Sequence, residues 1–66
     1  PIEAIKIRME EMQLKQKDLA LAIGGKNRVS EVLNKKRKLT LEMIRNLTVK
    51  LEISPDILIQ DYPLIQ

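Results

Sequence analysis

The sequence contains no cysteine and no histidine. Without cysteine there is no disulfide framework and no thiolate metal site, and without histidine the commonest metal ligand and general base is missing too. No metal and no cofactor are expected. Phenylalanine and tryptophan are also absent and Tyr62 is the lone aromatic, so stacking platforms for single-stranded RNA are nearly missing. Apolar runs stop after a few residues, far short of the ~20 that span a bilayer, and the start lacks the charged-then-apolar layout of a signal peptide. These absences predict a cytoplasmic chain with no membrane partner. Pro1 stands where a start Met would, which fits a processed product or a fragment of a longer protein. Ser30 has no histidine to activate it, no carboxylates pair in an apolar setting, and Gly24-Gly25 lacks the rest of a phosphate-loop pattern. Neither an enzyme nor a small-molecule substrate is expected.

What is present is unevenly distributed. The 66 residues allow one small domain, spanning 1–66, whose single core only just offsets the entropy of ordering the chain. Net charge is +3, yet residues 26–38 hold Lys26, Arg28, Lys35, Lys36, Arg37 and Lys38 against Glu31 alone, a local +5 that leaves −2 for the remainder. A basic segment on a mildly acidic body is the electrostatic footprint of a polyanion binder.

Only helical periodicity is found. Ile2, Ile5, Met9 and Met12 recur at helical spacing, predicting a helix over 1–13 with Pro in its first turn. A short second helix over 16–23 points Leu19, Ala20 and Ile23 inward, and Gly24 follows as a residue able to take positive φ. The third, over 26–34, buries Val29, Val32 and Leu33, with Asn34 as its left-handed cap. Thr40 caps a fourth helix with Leu41, Ile44, Leu47 and Leu51 inward. Ser54-Pro55-Asp56 combines an N-cap side chain, proline at the first helical position and a carboxylate near the positive helix end, and opens a fifth with Ile57, Leu58 and Ile59. The fold class is all-α: a compact five-helix orthogonal bundle.

Two short helices meeting across a glycine turn, with small Ala20 where their backbones approach, describe a helix-turn-helix, whose second helix presents its outer face to the DNA major groove. With Val29, Val32 and Leu33 inward, a wheel of about 100° per residue sets Asn27, Glu31 and Asn34 outward and Arg28 and Ser30 at the flanks. These are base-reading types: Arg bonds bidentately to guanine, Asn to adenine, and Glu accepts from cytosine. Lys26, Lys36 and Arg37 fall at the ends of that helix, where phosphates pass.

Over residues 14–61 the sequence resembles the repressor-like (XRE-type) helix-turn-helix domains related to λ repressor and Cro. The residues that carry the likeness are Gln16, Leu19-Ala20, Ile23-Gly24, Val29-Ser30, Val32 and Asn34; GGKNRVSEVLNKKRKLTLEMI and EISPDILI make it similar, within them, to HigA-type antitoxins of bacterial toxin–antitoxin operons. The resemblance implies a homodimer that binds a palindromic double-stranded operator, represses its own operon and neutralises a RelE-like (HigB-like) messenger-RNA-cleaving toxin. It also implies a phosphate contact for Gln16, base-facing Asn27, Arg28, Ser30 and Glu31, and a backbone hold from Asn34 and the cations after it. The sequence departs from the pattern in three places. The turn is one residue shorter, Lys15 stands where Ser or Thr often caps, and Lys35 replaces the usual glycine, passing the positive φ to Asn34. Ile53, Ile57, Leu58, Ile59, Tyr62, Leu64 and Ile65 exceed what one short helix buries, predicting a dimer surface there. The alternatives are a protein-interaction module of the same fold that does not bind DNA and an RNA-processing enzyme, the latter disfavoured by the missing histidines and aromatics.

Overall fold

A computed structural model describes residues 1–65. Its helices are α1 (Ile2–Glu11), a 3-10 turn (Gln16–Leu19) running into α2 (Ala20–Ile23), α3 (Lys26–Leu33), α4 (Leu41–Leu51) and α5 (Pro55–Leu58). Among the described residues there is no strand. The core collects Ile2, Ile5 and Met9 from α1, Leu19 and Ile23 from the second segment, and Val29, Val32 and Leu33 from α3. Met43, Leu47 and Leu51 of α4 join them with Ile53, Leu58 and Tyr62. No polar or charged side chain is buried among the described residues, so the core carries no desolvation cost of that kind.

α2 packs on α4, and α3 on the 3-10 turn, α2 and α1. Two long polar ties close this arrangement. Arg8 Nε donates to the carbonyl of Leu51 at 2.9 Å, placing a cation at the negative end of α4. Asn46 Nδ2 reaches the carbonyl of Ala22 at 3.1 Å and joins α4 to the end of α2.

Four positions expected to face inward are exposed: Leu41, Met12, Ile57 and Ile59. Leu41 is 59% exposed and Met43 takes its place in the core. Thr40 caps α4 by accepting from the Met43 amide at 3.1 Å, the Thr40 amide donates to Met43 Sδ at 3.4 Å, and the helix buries Met43, Leu47 and Leu51 at intervals of four. Met12 lies past the last turn of α1 and is exposed. α5 is a single turn and buries Leu58 alone, leaving Ile57 and Ile59 outside. Its start is as expected: Ser54 Oγ accepts from the Asp56 amide at 3.3 Å with Pro55 at the first position.

The helix stops use left-handed residues where the sequence has little glycine to offer. Gln13, Lys35 and Glu52 all take positive φ, near 55°. At Gln13 the Leu14 amide returns to the Met9 carbonyl at 2.8 Å and the Gln13 amide to Glu10 at 3.2 Å, a Schellman closure. A side chain in that region costs roughly 1–2 kcal/mol that glycine avoids, partly offset by glycine's greater freedom in the unfolded chain. Gln13 is exposed and its side chain makes no hydrogen bond among the described residues. Gln13→Gly is therefore expected to stabilise the fold by about 1 kcal/mol, read as a rise in the urea midpoint at constant slope. A lower midpoint would show that Gln13 is not left-handed in solution.

Candidate nucleic-acid interface

The turn before α3 is built on one acceptor. The amides of Gly24 and Gly25 both donate to the Ala20 carbonyl at 2.8 Å, with φ of 104° at Gly24 and 124° at Gly25. Gly25 combines that φ with ψ 156°, a region essentially closed to side chains. Its carbonyl then accepts from Val29 at 3.1 Å, starting α3. A Cβ at Gly24 would sit 3.2 Å from Nη1 of Arg28, whose side chain lies back across the turn.

α3 starts with no side-chain cap and no acid in its first turn, and carries Lys26, Asn27 and Arg28 exposed at its positive end. Free amides, a helix dipole and two cations at one place suit an anion. Farther along, the outward residues are engaged with one another. Arg37 Nε bonds Glu31 Oε1 at 3.2 Å, and Asn34 Nδ2 reaches the Ser30 carbonyl at 2.9 Å and its hydroxyl at 3.3 Å. Ser30 and Glu31 are half-buried and Asn34 is exposed. Gln16 is exposed at the start of the 3-10 turn. The missing Ser or Thr at Lys15 is compensated from the other side, since Asp18 Oδ2 accepts the Lys15 amide at 2.7 Å.

One expectation is overturned here. Asn34 has φ −95°, and Lys35, φ 57°, is the left-handed residue. The two bonds from Asn34 to Ser30 hold Asn34 in the helical course, while the amides of Lys35 and Lys36 return to Val32 at 3.0 Å and Glu31 at 2.7 Å.

The four-cation run divides by partner. Lys35 Nζ meets Glu3 Oε1 at 2.9 Å, Arg37 meets Glu31, and Lys38 meets Asp61 and sits 5.3 Å from the Tyr62 ring centroid. Lys36 is exposed and makes no ion pair among the described residues. Lys35 and Lys38 reach residues more than twenty positions away and Arg37 reaches back past the end of α3, so the helical spacing rules used to read charge patterns do not find these pairs.

Set against known proteins, the pattern of the helix-turn-helix family matches residues 5–58. The chain belongs to the repressor-like helix-turn-helix family. It is accordingly a DNA-binding transcription regulator, and the two helices joined at Gly24-Gly25 are its family motif. Searches of curated proteins and of solved structures returned no match. No helix among the described residues is long and apolar enough to cross a membrane.

The ion pairs have a pH signature. The hydrogen bond from Lys35 holds Glu3 below the usual carboxylate range, and Lys38 does the same to Asp61. A carboxylate whose folded pKa is depressed stabilises the fold above its unfolded pKa, and that contribution disappears as pH falls through the folded value. Carbon-13 carboxyl titration should show both midpoints low. Lys35→Ala should raise that of Glu3 alone, and Lys38→Ala that of Asp61 alone. A Glu3 midpoint at the ordinary value in the wild type would mean that the pair to Lys35 does not form in solution.

Proposed function

We propose that this chain is a sequence-specific repressor of the HigA antitoxin type, which reads a palindromic operator as a homodimer and neutralises a RelE-like toxin made from the same operon. The observation that carries the DNA reading is the exposed first turn of α3. Lys26, Asn27 and Arg28 stand together there at the positive helix end, directly after a turn whose geometry fixes the helix. Asn27 and Arg28 read base edges, while Gln16, Lys26, Lys36 and Arg37 hold phosphates. Ser30, Glu31 and Asn34 complete the face, although Glu31 must exchange its bond with Arg37 for one to a cytosine amine. The antitoxin assignment rests on the sequence likeness of residues 24–44 and 52–59. Capture of the product of the adjacent gene by the purified chain tests it.

Asn27→Ala and Arg28→Ala should each lower operator affinity by roughly 1–3 kcal/mol while sparing random duplex. Lys36→Ala should weaken all duplexes alike and reduce the slope of log K against log salt by about one. Equal profiles for the two kinds of variant in paired titrations would end the division between reading and anchoring residues. If wild type had no affinity for any duplex even at low salt, the interaction-module reading would replace this one.

The dimer has a smaller apolar surface than the sequence pattern suggests, because Ile53, Leu58 and Tyr62 are buried within the same chain. Ile57, Ile59, Leu64 and Ile65 remain exposed and are the proposed contact. Two reading helices about 34 Å apart then double the base contacts of one half-site. Sedimentation equilibrium at micromolar concentration should give twice the chain mass for wild type and one chain mass for Ile59→Glu. A single-chain mass for wild type, free and on operator DNA, would exclude the dimer.

A further inference from the structure

Residues 61–65 run beside the loop that follows α3 and bond to it repeatedly. Tyr62 Oη donates to the Arg37 carbonyl at 2.7 Å, and the Ile65 amide to the Lys35 carbonyl at 2.8 Å. In the other direction, Lys38 Nζ donates to Asp61 Oδ1 and to the Tyr62 carbonyl. These contacts bridge more than twenty residues of sequence and touch the loop at Lys35, Arg37 and Lys38. Burial adds little reason for the segment to lie there, since Asp61, Pro63, Leu64 and Ile65 are all exposed and only Tyr62 enters the core.

We propose that residues 61–65 are a brace that fixes the backbone of the phosphate-holding loop 35–38, with Tyr62 as its positioning residue; this rests on the DNA-binding reading above. Four adjacent cations repel one another and are well hydrated, which favours a loose loop. Lys35 is drawn to Glu3 and Lys38 to Asp61, and the carbonyls of Lys35 and Arg37 are held by the brace. Lys36, and Arg37 on exchanging its pair with Glu31, then meet a phosphate from a backbone already ordered. The entropy of arranging that backbone is then lost on folding and not on binding.

Tyr62→Phe tests this, because it keeps the buried ring and removes only the hydroxyl that bonds the Arg37 carbonyl. Measured well below the thermal midpoint, its affinity should fall about threefold to tenfold on operator and random duplex alike. The salt slope should be unchanged, since no phosphate contact is deleted. In the DNA-free protein, amide exchange at residues 36–38 should accelerate. In a Lys36→Ala, Arg37→Ala background the Tyr62→Phe effect on affinity should vanish, because the side chains it positions are gone. Unchanged exchange, or an equal loss of affinity in both backgrounds, would overturn the brace while leaving the DNA reading intact. Failure of the wild type to bind any duplex would overturn both.

Discussion

The Ala20 carbonyl accepts two successive amides, those of Gly24 and Gly25, and closing the chain twice onto one oxygen requires backbone angles that only glycine adopts at little cost. That closure sets where α3 starts. Val29, Val32 and Leu33 then meet Leu19, Ile23 and the α1 residues Ile2 and Ile5 in one core. With the inner face fixed by burial, the outer face is fixed by subtraction: Asn27 and Arg28 are exposed, Arg28 lying back beside the turn at Gly24. The bond from Asn46 to Ala22 secures the same turn from α4.

A second constraint is charge. A chain this small has too little core to tolerate a loose cationic loop at no cost, and it ties that loop to carboxylates of α1, α3 and the C-terminal segment. Glu3, Glu31 and Asp61 each take one cation from the loop. Exposed ion pairs of this kind are individually weak and screened by salt. Their effect is geometric: they direct Lys35 and Lys38 toward the body of the protein and leave Lys36 outside.

The sequence makes legible whatever depends on local chemistry. Helix positions followed from apolar spacing, the Thr40 and Ser54 caps from side-chain type, and the turn from Gly24-Gly25. The errors arise where tertiary contact decides. Met43 displaces Leu41 although both fit a helical stripe with Leu47 and Leu51, and apolar spacing alone does not choose between them. Lys35 takes the left-handed position that propensity assigns to Asn34, because Asn34 is held by Ser30 and a lysine there reaches Glu3. The exposed face of α3 was readable from the wheel; the pairing of Glu31 with Arg37, and the bond from Tyr62 to Arg37, were not, since they join residues separated by the end of a helix or by more than twenty positions.

Those pairings bear on how discrimination is distributed along α3 under the proposed function. In its second half Ser30, Glu31 and Asn34 already have partners, so a base edge there replaces an existing bond and gains only the difference. In its first turn Asn27 and Arg28 are both exposed, with no side-chain hydrogen bond or ion pair among the described residues, and Arg28 swings out from beside Gly24 to reach a base. A base contact made by these two residues displaces water rather than a protein partner. The free energy of sequence choice is thus concentrated at the start of α3, next to the glycine turn that aims it.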